Sequence, residues 1–419
     1  MPDWMQAVLT SKWFWGLVAL VVGYTVTLVG LVVYTWWERR GAGLIQMRPG
    51  PNRRGPYGIV QAVADAVKLA MKEDVVPAGA NRFLHALAPM IVMAVALTTF
   101  AVIPWSGDFE LFGKTFRLQV ADLNVGIIYI LAISSLAVHG IALAGWASNN
   151  KYSLLGGLRG AAQMISYEIG MGLAVVAVIM TSGAVTLSGM VADQAGPIWK
   201  WGLFQAPIAF VIYIVATYAE TNRVPFDLPE AESEIVAGYH TEYSSLRFGL
   251  FYMGEYVHMA VSAVLITILF FGGWHIPWAR ELLGPHAYAR LFPVLCGIGG
   301  LAALAIAWDV MRPKRRRFTK GNGLMALVCV VAALVLFALS GAVAANLELD
   351  WVRSLAGAAA QLAVLLAKFL FFFWLFIWVR WTLPRFRYDQ LMRLGWKVLL
   401  PLGLANLGIT AFLVLVGVV

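Results

Sequence analysis

The chain has 419 residues, of which 61% are hydrophobic and 13% charged, with a formal net charge of +9 at pH 7. Soluble domains carry about 25% charged residues, so this balance excludes a soluble fold and places the chain among polytopic membrane proteins. The basic excess calls for no nucleic-acid partner, because in a membrane protein the placement of Lys and Arg sets orientation while their sum says little.

A helix needs roughly 20 apolar residues to cross the hydrocarbon layer. Ten stretches meet that length: 13–37, 84–104, 125–146, 161–187, 201–219, 248–272, 290–309, 324–345, 358–379 and 398–419. The first, in "MPDWMQAVLTSKWFWGLVALVVGY", is too long for the core of a cleavable signal and reads as a retained helix. The expected fold is an all-α membrane protein, a single membrane domain over 1–419. With ten spans the loops alternate sides, and the side holding 38–83, 147–160, 220–247, 310–323 and 380–397 carries 23 of the 31 Lys and Arg. Those loops are expected to be cytoplasmic and both termini periplasmic.

In the first loop, 38–83, Gly50, Pro51, Gly55 and Pro56 mark a turn, after which Val60, Val63, Val67 and Met71 recur at helical spacing. Asp65, Lys68 and Lys72 share the opposite face, which predicts an amphipathic helix lying at the interface. Two readings stand: a surface anchor, or one wall of the mouth of a site. His139 and His258, on apolar helix faces, read as packing or hydrogen-bonding residues rather than ligands.

Glu168 in "QMISYEIGMGLAVV" and Glu255 in "FYMGEYVHMAVSAV" fall inside or near the ends of apolar helices. An ionised carboxylate there costs a few kcal/mol or more unless paired or hydrated, which makes each a functional candidate, with a helix-packing hydrogen bond as the plainer alternative. Between them the loop 220–247 gathers Glu220, Asp227, Glu230, Glu232, Glu234 and Glu242 against only Arg223 and Arg247. Orientation does not require these acids. They are interleaved with Val224, Phe226, Leu228 and Ile235, and Pro225 and Pro229 restrict the backbone, which describes a packed turn better than a solvated tail. Crowded carboxylates in a low dielectric resist ionising together and can exchange protons.

Further on, 285–350 reads as a transmembrane hairpin joined by "DVMRPKRRRFTKGNG". Its cluster of Arg312, Lys314, Arg315, Arg316 and Arg317 is either a stop-transfer signal or a site for anionic lipid or a neighbouring subunit. Cys296 and Cys329 are isolated in apolar segments, so neither a disulfide framework nor a metal or iron–sulfur site is expected in this chain. Lys368, central in "QLAVLLAKFLFFFWLF", is expected to pair with an acid across the bundle rather than to snorkel.

Four segments in order, "GPNRRGPYGIVQAVADAVKLAMKED", "GWASNNKYSLLGGLRGAAQMISYEIG", "AETNRVPFDLPEAESEIVAGYHTEYSS" and "PRFRYDQLMRLGWKVLLPL", closely resemble one membrane component of respiratory complex I, the NADH-quinone oxidoreductase. In bacteria that component is the H subunit, and in mitochondria it is subunit 1. The resemblance implies a subunit of a proton-translocating NADH:quinone oxidoreductase with no standalone catalysis. It also implies a core of eight spans, to which the hairpin 285–350 is an addition. Quinone is then the substrate, with flavin mononucleotide (FMN) and iron–sulfur clusters in partner subunits and no cofactor held by this chain. The implied partners are other complex I membrane subunits, the peripheral subunits at the quinone site, and membrane lipids. Carried onto this sequence, the quinone tunnel and its entrance comprise Gln46, Arg48, Arg53, Asp65, Lys68, Arg223 and Phe226. The proton-coupling path, often called the E-channel, comprises Glu168, Glu220, Glu230, Glu232, Glu234 and Glu255, with Asp227 and Glu242 close by. The absence of a transit segment points to a bacterial inner membrane. The equivalent anchor of a membrane-bound hydrogenase is the alternative. An independent proton-coupled transporter fits less well, because the hydrophobic pattern has no internal duplication.

Overall fold

A computed structural model describes residues 11–52, 55–230, 236–284, 286–311 and 322–417. Among these residues nine helices are long and apolar enough to cross a membrane. The first is α1 (Lys12–Ile45), which contains a π-turn at Thr25–Val29. After the short amphipathic helix α2 (Val60–Met71) come α3 (Arg82–Val102), a small antiparallel hairpin of β1 (Phe109–Leu111) and β2 (Lys114–Phe116), α4 (Gly126–Ala147) and α5 (Lys151–Ser182). The short α6 (Leu187–Asp193) and the apolar α7 (Pro207–Glu220) lead to α8 (Ser245–Phe270). The remainder is α9 (Ala287–Met311), α10 (Asn322–Ala345), α11 (Asp350–Thr382) and α12 (Tyr388–Val416).

The fifth expected span differs from the simple reading. It is broken into Gly202–Gln205 and α7, because Pro207 has no amide hydrogen to continue a helix through Ala206 and starts a new one instead. Elsewhere the helices end where local chemistry dictates. The Asn81 side chain accepts from Leu84 N at the start of α3, and Asn150 does the same for Tyr152 N at α5. Gly183, at φ 63, closes α5.

Helix α8 lies at the centre, with every residue from Gly254 to Phe270 buried. It packs against α3, α11 and the amphipathic α2, while α5 packs against α4, α7 and α12. The hairpin α9–α10 packs on itself and against α11 at the periphery, and its helices are the least buried of the nine. Along α2 the apolar Val63, Val67 and Met71 face outward, whereas the Ser245 hydroxyl ties the far end of that helix to α8 by donating to Leu69 O and Lys72 O.

Lys368 departs from expectation. Its ammonium pairs with no acid: it donates to the carbonyls of Phe271 (2.6 Å), Gly273 (3.0 Å) and His275 (2.6 Å), and lies 4.6 Å from the Trp201 ring centroid. The physical reason is that α8 ends at Phe270, and carbonyls at and beyond a helix C-terminus lack intrahelical donors and carry partial negative charge. Three carbonyls match the three protons of an ammonium. Of the two histidines read as packing residues, His258 is buried and His139 is exposed on α4.

Candidate functional site

The acidic loop begins where α7 ends and is fastened to α5 by one buried side chain. The Gln163 amide nitrogen donates to Ala219 O (2.8 Å) and Phe226 O (2.8 Å), with Asn222 Oδ1 at 3.1 Å. Phe226 is buried between Tyr167 and Phe386, each ring 5.4 Å away. The loop's return strand approaches α5 at Gly156, where a Cβ would lie 2.6 Å from Gly238 Cα and 2.7 Å from Tyr239 N. Glycine at that position lets Tyr239 and His240 reach the interior.

Arg223 points inward and is 4% exposed. A guanidinium cannot shed its charge in a protein, so burial forces it to find anions. It finds Glu38 on α1 at 3.3 Å and Glu255 on α8 at 3.5 Å, and it lies 4.2 Å from the Tyr256 ring centroid. Glu38 also accepts a hydrogen bond from the Tyr256 hydroxyl at 2.5 Å and pairs with Arg380 on α11. Three helices and the loop thus meet at one ion cluster. None of Glu38, Tyr256 and Arg380 was among the sequence candidates, although a charge ending a span, as in "TWWERRGAG", is the kind of signal that marks such a residue.

From Glu255 the cluster continues in two directions. On one side, Tyr239 donates to Glu255 Oε1 (3.4 Å), Glu230 is in hydrogen-bond contact with Glu255, and His240 Nδ1 lies 3.1 Å from Glu230. Burial alone would raise the Glu230 carboxyl; the His240 ring beside it holds it below the usual carboxylate range. On the other side, Glu220 and Glu255 line a shared cavity of about 20 Å³ with Asn222, Tyr239 and His258. A cavity of that volume is the size of one water molecule. Glu220 is also in hydrogen-bond contact with Ser134, and Glu168, half-buried on α5, is close enough to act on it electrostatically.

The donor atoms of Glu230, His240 and Glu255 lie within 4.8 Å of one another, a set that could ligate a divalent cation. The Arg223 guanidinium, already 3.5 Å from Glu255, opposes a cation at that point.

The remaining candidates are placed less centrally. Asp227 pairs with Arg385 at 2.7 Å, yet burial first and Glu230 second raise its carboxyl to about 7. Glu242 accepts from Asn150 at 2.6 Å, beside α5. Asp65 on α2 pairs with Arg39 of α1, accepts from Gln61 (3.1 Å) and lies 3.7 Å from the exposed Lys68. Gln46 and Arg48 bond to each other at 2.6 Å in an exposed turn just past α1. Asp65, Lys68, Gln46 and Arg48 therefore flank the α1–α2 side of the site, outside the buried cluster. Arg53, Glu232 and Glu234 lie outside the described residues, as does the basic cluster at 312–317.

Comparison with known proteins places this geometry in context. A family model described as NADH dehydrogenase matches residues 17–411. The first of two H subunits of the NADH-quinone oxidoreductase of Solibacter usitatus is 43% identical over 97% of this chain and 98% of its own length. NADH-quinone oxidoreductase subunit 8 of Rhodothermus marinus is 43% identical over 92% and 93%, and the corresponding H subunit of Geobacter metallireducens is 42% identical over 95% of each chain.

Proposed function

Because the chain belongs to the NADH dehydrogenase family, as a membrane subunit of the NADH-quinone oxidoreductase type, we propose that it forms the quinone entrance of that complex and the first stretch of its proton-coupling path. The observation that carries this reading is the continuity of the polar cluster. Arg223 touches both Glu38 on the entrance side and Glu255 on the carboxylate side, and Glu255 in turn adjoins Glu230 and, across the small cavity, Glu220.

Reduction of a quinone to a quinol takes up two electrons and two protons, so the charge and proton demand near its head group change at each turnover. Electrons arrive through the flavin and iron–sulfur clusters of the partner subunits. This chain's part is to admit the quinone between α1, α2 and α8, past Asp65, Lys68, Gln46, Arg48 and Arg53. Phe226 and Arg223 line its inner end. Two unit charges about 4 Å apart interact by roughly 4 kcal/mol at an effective dielectric near 20, so a charge formed beside Arg223 weakens its hold on Glu255 by an amount worth several-fold to a thousandfold in a proton equilibrium. Glu255 then exchanges a proton with Glu230 or, through one water in the cavity, with Glu220, and Glu168 continues the row into the bundle. Glu232, Glu234, Asp227 and Glu242 supply further proton-holding groups at the loop.

The asymmetry of Lys and Arg supports a bacterial inner membrane location with these loops cytoplasmic and both termini periplasmic. Partners follow from the same reading: further membrane subunits, and peripheral subunits that cap the acidic loop. The test is substitution of Glu220→Gln and of Glu255→Gln in the assembled complex. Both should suppress inhibitor-sensitive NADH:quinone reduction by tenfold or more, on the order of the loss of one proton-transfer group, while NADH oxidation by an artificial acceptor persists. Unchanged quinone-linked turnover in both variants would defeat the reading.

A further inference from the structure

The peripheral hairpin α9–α10 reaches the first loop through a polar contact. Asp309, in the last turn of α9, accepts a hydrogen bond from the Tyr57 hydroxyl. An acid at that position faces the negative end of its own helix dipole, so a strong donor there is stabilising.

Tyr57 is held at other points as well. Its carbonyl accepts from Trp36 Nε1 (2.8 Å) and from Arg40 Nη1 (2.9 Å), both on α1, and its ring centroid lies 5.1 Å from the Arg40 guanidinium. Its backbone sits at φ 54, ψ 10, a left-handed conformation that residues with a Cβ adopt rarely and keep only where the surroundings over-determine it. The turn has little slack, since a Cβ on Gly58 (φ 76) would lie 2.2 Å from Pro51 O. Two residues after that glycine, Val60 begins the amphipathic α2.

We propose that the hairpin is a strut for the quinone entrance: Asp309 fixes Tyr57, and the rigid turn around Tyr57 sets the angle at which α2 leaves toward α1 and α8. Tyr57 and Asp309 are positioning residues that set the width of the opening, and the hairpin tunes how readily a long-tailed quinone enters. This inference rests on the entrance reading given above.

The experiment uses the complete complex purified with this subunit, assayed with a long-tailed and a short-tailed quinone. Tyr57→Phe removes only the hydroxyl. It should raise KM for the long-tailed quinone by about three- to tenfold, the range set by one charge-assisted hydrogen bond partly transmitted to the opening. The maximal rate should stay within about twofold and the short-tailed substrate should be nearly unaffected, since neither depends on the width of the mouth. Asp309→Asn should act in the same direction, and the double variant should be no worse than the stronger single one, because both remove the same contact. Ser340→Ala removes a bond to Pro293 O (2.8 Å) inside the hairpin and should leave KM unchanged. If Tyr57→Phe does not assemble, Asp309→Asn carries the comparison. A wild-type KM in both variants, additive effects in the double, or an equal rise in Ser340→Ala overturns the strut while leaving the entrance reading intact. Failure of the wild-type complex to reduce quinone in an inhibitor-sensitive way overturns both.

Discussion

Replacing Glu38 by Gln keeps the shape of the side chain and removes the charge that holds Arg223 and Arg380. The carboxylate lies 3.3 Å from the Arg223 guanidinium, and the two side chains are 7% and 4% exposed, so solvent screens this pair little. At an effective dielectric near 20 the attraction is about 5 kcal/mol. Arg380 is 27% exposed and counts for much less. The desolvation cost offsets much of this attraction in the intact protein. Removal of one partner, however, strands the other charge in the interior, for which about 3–5 kcal/mol is the expected loss. In a chain of this size that corresponds to a fall of several degrees in the temperature at which the subunit unfolds, at roughly 2–4 °C per kcal/mol. The assay is thermal unfolding of the detergent-purified complex, read by retention of this subunit and by inhibitor-sensitive quinone reduction. The double variant Glu38→Gln with Arg223→Gln should recover part of the loss, giving a coupling of about 2 kcal/mol or more. A Glu38→Gln complex within about 1 kcal/mol of wild type, with quinone reduction within twofold, would refute the argument that this carboxylate neutralises a buried cation.

Asp227 gives a pH test whose sign is fixed by the direction of its shift. Its carboxyl is raised from 3.8 to about 7, so the folded protein binds the proton more tightly than the unfolded chain does. The stabilisation from the protonated form is complete below the unfolded value and is lost as pH rises through the folded one. Asp227→Asn should therefore flatten the decline in thermal stability between about pH 4 and 7, and an unaltered slope would contradict the shift. Lys368→Met leaves the carbonyls of Phe271, Gly273 and His275 without their common donor. It should lower stability by about 2–4 kcal/mol, with Lys368→Arg recovering part of it; an unchanged unfolding temperature in the methionine variant would remove Lys368 as the cap of α8.

The bundle was legible because a bilayer imposes length and apolarity on each span, and the π-turn in α1 and the break before Pro207 change that pattern only locally. The acids were legible for the opposite reason: Glu168, Glu255 and the 220–234 run stand where solvation theory says they should not. What the sequence concealed were the partners. Glu38 and Arg380 are far apart in the chain and each sits among other charged or aromatic residues at a helix end, so nothing local marks them as a pair. His240 and Tyr239 reach Glu230 and Glu255 only because Gly156 admits the loop. Lys368 was matched to the wrong kind of anion because backbone carbonyls at a helix terminus leave no trace in residue identities.

Helix α8 is also an electrical component. Beyond Glu255 and His258 it runs to Phe270 through buried aliphatic and aromatic side chains, interrupted only by Ser262 and by Thr267, whose hydroxyl is spent on Ala263 O at 2.8 Å. Such a column is an insulator, since a charge placed in it would lose its hydration without finding a partner. Charge arriving at Glu255 consequently has carboxylate neighbours on its flanks, Glu230 and Glu220, and none along the helix axis on α8 itself. The geometry favours sideways conduction through the bundle and blocks a short circuit straight across it.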